Sequence, residues 1–478
     1  MKMIQVLGTS SSAGKTTMAM VLCRYFSDLG LRVTPFKSVN MSLNSISLDD
    51  GSEISRSVWL QCRAARTSPR KEMNPFLIKP EGMGASQIIT LGRSQGVMSI
   101  NAYRKYMEDR APDIIRESLL SLEKDFDIII AEGAGSPAEI NLSRSDFANT
   151  FVSEINQTPC ILVTDIDRGG AFASLYGTLK LMNSSHLVRW LVINRMSGDA
   201  SMLDDGIDKI QRLTEKKCIG VVRKIRDIPV PGEDSLDYEN PEIPDHRIAV
   251  VRYPFMENYS DVDPLNLRGV GFTYLTAENM EILDSCDLIV LPGSKNVPAD
   301  LQYLRESGLA ERIAASAQRG KRILGICGGY QMLGRTIRMG VAEKSDPIQG
   351  LSILRCETCY SDRKTVESCS GILNPEVFGE SISVKGYEIH YGSVKDNLER
   401  PLAMIGDRRE GSVSQNGRVI GTNLHSILEN RKFLEYITGR AQLKEDYESI
   451  LDRNIQKITE KFIESLDMSE ILGYIREK

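Results

Sequence analysis

Gly8-Thr9-Ser10-Ser11-Ser12-Ala13-Gly14-Lys15-Thr16-Thr17 separates a short apolar run, Ile4 to Leu7, from a helix-length amphipathic stretch, Thr16 to Leu29. A glycine-rich turn from strand to helix aims backbone N–H groups and the positive end of a helix dipole at one point, where phosphate oxygens fit. Gly8, Thr9, Ser12, Ala13, Gly14, Lys15, Thr16 and Thr17 are therefore candidate nucleotide-binding residues, with Lys15 reaching the β/γ-phosphates and the Thr16 hydroxyl placed for Mg²⁺. Five residues separate Gly8 from Gly14, one more than the ordinary spacing, so the Gly-Lys-Thr triplet between strand and helix carries the reading. Downstream, Met18, Val21, Leu22, Tyr25, Phe26 and Leu29 recur at spacings of three and four, and Gly30 stands where a glycine ends a helix.

The rhythm continues in Arg32 to Phe36, Asp127 to Ala131 and Cys160 to Thr164, which predicts a parallel sheet covered by helices. From Ile228 to His246 four Pro and several acids mark an exposed connection. Beyond it, Arg247 to Tyr253, Leu288 to Leu291 and Arg322 to Ile326 restart the pattern, predicting a second α/β unit. The expected division is a nucleotide-dependent domain at 1–235, a second domain at 246–435 and a charged helical tail at 436–478.

The 478 residues suffice for several cores, which excludes a small stapled scaffold. With 59 Lys and Arg against 64 Asp and Glu, the net charge of −5 gives non-specific nucleic-acid binding no electrostatic footprint. Nine scattered Cys make a poor disulfide framework, and a reducing, cytoplasmic setting is expected. No apolar run approaches the roughly 18 residues of a membrane span. Met3 to Leu7 runs into the glycine turn without a cleavage site, so no targeting signal is expected.

A nucleotide-bound Mg²⁺ also takes carboxylate oxygens. Glu132 directly follows the apolar run Asp127 to Ala131 and is the first candidate; Asp165, with Asp167, ends another such run. In the second half, Gly325-Ile326-Cys327-Gly328-Gly329-Tyr330-Gln331 follows an apolar strand, and small residues around a nucleophile let the chain turn sharply with that side chain exposed. Cys327 needs a base to become thiolate, and of four His, His390 and His425 lie within this domain. Gly293 and Ser294 end a further strand, where N–H groups could join that of Gly328 in holding an oxyanion. These residues outline a thiol amidase. Cys356 and Cys359 have zinc-like spacing, but no second close pair completes four ligands, so no zinc is expected.

PFKSVNMSLNS (35–45), NPFLIKP (74–80), EGAGSPAEINL (132–142), DIDRGGAFASLYGT (165–178), LPGSKN (291–296), GICGGYQMLG (325–334) and GYEIH (386–390) together resemble the cobyric acid synthase family over nearly the whole chain. EGAGSPAEINL and DIDRGG are specific to this branch; GICGGYQMLG is shared with other class I-type glutamine amidotransferase domains. The resemblance implies a dethiobiotin synthetase-like P-loop domain followed by a class I-type glutaminase domain. It implies ATP and Mg²⁺, an adenosylated corrinoid and glutamine as substrates, and acyl phosphate chemistry at the b, d, e and g carboxylates of adenosylcobyrinic acid a,c-diamide. It further implies Cys327 and His425 as catalytic pair, Gly293, Ser294, Gly328 and Gln331 around glutamine and its oxyanion, and Lys37, Asn40 and Asn44 beside phosphate and carboxylate. The oligomeric state, a homo-oligomer included, is left open.

The chain departs from that family's pattern in places. Val39 and Val58 stand where Gln is expected, Asn194-Arg-Met-Ser-Gly-Asp199 replaces Asn-Lys-Phe-Arg-Gly-Asp, and Gly421-Thr-Asn-Leu-His425-Ser replaces Gly-Thr-Tyr-Leu-His-Gly. Ile427 occupies the position where ordinary class I amidotransferases carry Glu, so an orienting partner for His425 is missing from the sequence pattern and a slow, assembly-dependent glutaminase is expected. Asn40 and Asn44 stand where related synthetase domains present acids, which leaves Glu132 as the leading metal ligand. A cobyrinic acid a,c-diamide synthase would share both domains, but NMSLNS and DIDRGG argue against it; a P-loop partitioning ATPase has no need of Cys327 or His425.

Overall fold

A computed structural model of the chain describes residues 2–82, 84–141, 146–225, 227–231, 245, 247–339, 347–440 and 443–477. Most of the expected connection between Ile228 and His246 lies outside the described residues. The chain packs as two compact units: Met1–Ser42, Glu53–Ser235 and Asp452–Lys478 form the first, Leu43–Ser52 and Leu236–Leu451 the second.

In the first unit, strands β1 (Lys2–Gly8), β2 (Val33–Phe36), β3 (Ile128–Glu132), β4 (Cys160–Asp165), β5 (Val188–Met196) and β6 (Lys217–Arg223) pair in the order β6-β5-β4-β1-β3-β2. Every pairing is parallel. All residues of β3 and β4 are buried, as near-continuous apolar runs must be in a sheet covered on both faces. Helix α1 (Lys15–Asp28) leaves the end of β1 through the glycine turn, so the first strand-helix passage falls where its glycines predict. Its Arg24 is fully buried and ion-paired with Asp452. The charged tail forms helices Tyr447–Glu464 and Ser469–Arg476. Lys217 bridges Asp467 at 2.8 Å and Glu470 at 3.1 Å, Trp190 Nε1 donates to Glu470 at 2.9 Å, and Tyr474 donates to the Met3 carbonyl at 3.2 Å.

In the second unit, β7 (Ile248–Val251), β8 (Thr273–Leu275), β9 (Leu288–Leu291), β10 (Arg322–Ile326), β11 (Ser412–Val413) and β12 (Val419–Thr422) pair in the order β8-β7-β9-β10-β12-β11. The sheet is parallel except at its β11 edge. The sequence pattern did not announce a mixed sheet in the first unit and an antiparallel ribbon in the second. In the first unit Val39–Met41, Phe76–Gly82, Ala85–Thr90 and Arg93–Ser99 make a separate four-stranded sheet. In the second, Glu357–Leu373 and Ile382–Lys395 form a long ribbon. These strands alternate or mix polar and apolar residues, whereas the apolar runs that stand out in the sequence belong to strands buried on both faces.

Two segments cross a contiguous division of the chain. Asp452–Lys478 belongs to the first unit although the second unit precedes it, and Leu43–Ser52 belongs to the second although first-unit residues flank it. Among the described residues no helix is long and apolar enough to cross a membrane.

Candidate active site

At the mouth of the first sheet, a Cβ on Gly8 would lie 2.8 Å from Lys15 Cγ, so the lysine stem folds back over the loop only because residue 8 has no side chain. Lys15 Nζ donates to the carbonyls of Ser10 at 2.8 Å and Gly135 at 2.9 Å. Gly14, at φ 100°, begins α1 in the left-handed region, and a Cβ there would meet Asn194 Nδ2 at 2.1 Å. That amide donates to the Ala13 carbonyl at 3.0 Å, clamping the loop. Thr9 is tied to β4 through the Val163 carbonyl and the Thr164 hydroxyl, Ser12 takes φ 57°, and Thr17 lies in the first turn of α1.

Glu132, at the end of β3, is the hub. Its Oε1 accepts from the Thr16 hydroxyl at 2.7 Å and from Lys37 Nζ at 2.8 Å, and its Oε2 accepts from Gln61 Nε2 at 2.5 Å. Lys15, Thr16, Lys37, Asn40 and Glu132 share the wall of one cavity of about 400 Å³. The Thr16 hydroxyl and the Glu132 carboxylate are adjacent oxygen donors at the head of a helix, a donor set that fits Mg²⁺. Gln61 carried no signal in the sequence, because a lone polar residue inside an amphipathic helix has none.

Two expected members are elsewhere. Asp165 is not in the cavity wall: Arg195 Nη1, from the neighbouring strand β5, binds it at 3.0 Å, and it accepts the Asp167 N–H of its own loop at 2.8 Å. Asn40 and Asn44 do not act as a pair. Asn40 donates to the Ser57 hydroxyl at 3.2 Å beside the cavity, whereas Asn44 belongs to the second unit and accepts the Ser260 N–H at 3.4 Å. Four residues of spacing read as one loop; the chain leaves the first unit between them.

In the second unit, Cys327 occupies the turn between β10 and the short helix Gly328–Leu333 at φ 49°, ψ −109°. A non-glycine residue there is strained, and a nucleophile elbow uses that strain to lift the side chain out of the turn. A Cβ on Gly328 would lie 2.6 Å from the Ser294 nitrogen, so its glycine lets the Gly293–Ser294 strand press against the elbow. The Ser294 hydroxyl donates to Asp300 at 2.6 Å, and burial pushes the Asp300 carboxyl up to about 6. Gln331 turns toward the ribbon, where its Oε1 accepts from the Tyr360 hydroxyl at 2.7 Å.

The structure separates the two histidines. His390 bonds Glu388 at 3.1 Å, and Arg408 pairs with the same carboxylate at 3.0 Å, which makes GYEIH part of an ion-paired ribbon. His425 is fully buried, stacked on Tyr387 with ring centroids 5.1 Å apart, and its Nδ1 lies 2.7 Å from Asp261 Oδ2. Burial opposes charge on this ring, but Asp261 and the neighbouring Cys327 outweigh it and push its pKa up to about 10. Asp261 also accepts the Ser426 N–H at 2.9 Å. Asp261 therefore stands where an orienting acid was expected to be missing, within the same unit as His425, so orientation of the ring needs no partner from outside that unit. Asp261 escaped the sequence reading because it lies 164 residues before His425, outside any local spacing.

Asp261→Asn keeps shape but no longer fixes the Nδ1–H tautomer, so glutamine hydrolysis should fall by about 10²- to 10⁴-fold, read as kcat with little change in KM. A loss below tenfold would remove Asp261 from the triad. The loop before His425 has its own support: buried Glu410 accepts the Thr422 hydroxyl at 2.9 Å and the Asn423 N–H at 2.8 Å. Burial and the charge of Glu388 push Glu410 up to about 7 from an ordinary 4.5. A carboxyl raised on folding adds stability that is complete below its unfolded value and is lost as pH rises through its folded value. Between pH 4.5 and about 7 the protein should therefore lose on the order of 3 kcal/mol that Glu410→Gln retains. Denaturant midpoints across that window with equal slopes for both proteins would refute it.

Residues 4–234 match the CobQ/CobB/MinD/ParA nucleotide binding domain, and 247–433 match the CobB/CobQ-like glutamine amidotransferase domain. With a P-loop at the head of one parallel sheet and a Cys-His-Asp arrangement on the other, the chain is a P-loop nucleotide-binding protein joined to a glutamine amidotransferase. It is 50% identical, over the full length of both chains, to a probable cobyric acid synthase of Picrophilus torridus, and 49% identical to one of Thermoplasma acidophilum over 99% of each. A cobyric acid synthase of Geobacillus thermodenitrificans is 41% identical over 90% of this chain and 88% of its own. The chain belongs to the cobyric acid synthase family.

Proposed function

We propose that the chain carries out ATP- and glutamine-dependent amidation of the b, d, e and g carboxylates of adenosylcobyrinic acid a,c-diamide, giving adenosylcobyric acid. The observation that carries the reading is the pair of side-chain clusters on one chain: Lys15, Thr16, Lys37 and Glu132 around one cavity, and Cys327, His425 and Asp261 in the other unit. A carboxylate is a poor electrophile until it is phosphorylated. Lys15 and Lys37 supply positive charge where the γ-phosphoryl of ATP passes to the carboxylate, leaving ADP and an acyl phosphate. Mg²⁺, held by Thr16 and Glu132, would neutralise phosphate charge when bound. In the second unit His425 takes the Cys327 proton, the thiolate attacks the glutamine amide carbon, and the N–H groups of Gly328 and Ser294 face the developing oxyanion. His425 returns the proton to the departing ammonia, water releases glutamate, and ammonia displaces phosphate from the acyl phosphate. The reduced thiol and the ATP requirement favour the cytoplasm.

The test is incubation with the corrinoid, ATP, Mg²⁺ and glutamine, following corrinoid mass and ADP. Four successive exchanges of a carboxyl OH for NH₂ are expected. An unchanged corrinoid would reject the assignment, even if ATP or glutamine were consumed.

A further inference from the structure

We propose that Tyr103 is a substrate-binding residue whose hydroxyl donates a hydrogen bond to the carboxylate arm that the corrinoid inserts into the P-loop cavity. The proposal rests on the amidation reading for the identity of the substrate and adds the group that holds it.

The cavity of about 400 Å³ has two kinds of wall, built on different parts of the first unit. Ser11, Ser12, Lys15 and Thr16 come from the glycine turn and α1, at the end of the parallel sheet, and offer polar atoms and positive charge. Val39, Met41, Ile78, Tyr103, Met107 and Phe147 line it as well. The first three stand on the separate four-stranded sheet, and Tyr103 and Met107 on the helix Ile100–Glu123 that follows its last strand. Four positions apart, these two side chains share one face of the helix. A triphosphate gains nothing from apolar neighbours, whereas a short aliphatic arm buries its methylenes against them. A space of this size that also receives phosphate oxygens has room for such an arm and not for a corrin ring.

The arm ends in an anion. One carboxylate oxygen must face the γ-phosphoryl that it attacks; the other, taken out of water, needs a donor. Beside the apolar wall, Lys37 already pairs with Glu132 at 2.8 Å, and the Asn40 amide donates to the Ser57 hydroxyl at 3.2 Å. Of the six side chains in that wall only Tyr103 carries an O–H, and among the described residues nothing hydrogen-bonds it. Nor is that hydroxyl sealed inside the protein. Burial pushes the phenol up to about 12, so at neutral pH it keeps its proton and can donate. A hydrogen bond to a charged acceptor is stronger than one to a neutral acceptor, so Tyr103 favours the unreacted carboxylate over the amide that replaces it.

Tyr103→Phe removes the hydroxyl and keeps the ring. With adenosylcobyrinic acid a,c-diamide, ATP, Mg²⁺ and glutamine, KM for the corrinoid should rise about 10- to 100-fold, while KM for ATP stays within about twofold. Equilibrium dialysis of the same corrinoid against the protein, with a non-hydrolysable ATP analogue present, should show binding weakened by the same factor. Thermal unfolding should match the parent or move upward, because the hydroxyl has no partner in the protein whose loss would cost stability. Unchanged corrinoid KM and binding in a stably folded variant would overturn the proposal and leave the amidation reading intact. A KM for ATP that rises in step with that for the corrinoid would put the hydroxyl at the nucleotide, and early unfolding would make it part of the fold; either would overturn the proposal. A parent that neither binds nor amidates the corrinoid would overturn both the proposal and the amidation reading.

Discussion

Cys327→Ala should abolish glutamine-dependent amidation, by at least about 10³-fold, while amidation driven by ammonium chloride continues. The thiol sits at the elbow between β10 and the helix Gly328–Leu333, with His425 beside it and Gly328 and Ser294 at its back. Nothing else in that cluster can form the thioester that lets ammonia leave. Alanine has the same Cβ at φ 49° as cysteine, so the backbone strain of the turn is carried over and the fold should be kept. The measurement is corrinoid mass with each nitrogen source in turn. Retained glutamine use would remove Cys327 from the mechanism. Equal activity of parent and variant on ammonia, with no glutamine use by either, would identify a synthase whose glutaminase is inert.

What the sequence reveals here and what it hides follow from how far apart the partners lie. Gly14 and Lys15 are legible because a phosphate loop is local: its geometry is set by a few consecutive residues between strand and helix. The elbow at Cys327 is legible for the same reason. Asp261 and Asn258 are not, since they reach His425 across 164 and 167 positions and are brought there by the order in which the strands of the second sheet pair. Asp165 shows the converse case. An acid at a strand end in a P-loop unit reads as a ligand, but an Arg from the next strand, Arg195, already binds it. Asn44 shows that four residues of sequence can separate two units, which no local periodicity can express. The layered α/β class follows from the apolar runs of the covered parallel strands; the strands of the mixed sheet and of the ribbon mix polar with apolar residues, leave no long apolar run and were found only in the structure.

Glu132→Gln should stop ATP-dependent amidation from either nitrogen source, with a loss of at least about 10²-fold, while glutamine hydrolysis without ATP persists. The carboxylate holds Thr16, Lys37 and Gln61 at once, so the glutamine amide would keep one acceptor oxygen and present an NH₂ where the other acceptor stood. Two consequences separate. The hydroxyl of Thr16 and the side chain at 132 would no longer offer Mg²⁺ an anionic oxygen, which should appear as a weaker dependence of the residual rate on Mg²⁺ concentration. Lys37, nearly as buried as its partner, would lose its counter-charge, and breaking such a pair from one side costs about 3–5 kcal/mol. Thermal unfolding must therefore be measured alongside. A variant that unfolds early but, when folded, still phosphorylates at the parental rate would make Glu132 a structural anchor of Lys37. A folded variant that has lost glutaminase and kept ATP-dependent amidation would overturn the assignment of the two reactions to the two units, because Glu132 lies in the P-loop cavity and Cys327 in the other sheet's elbow.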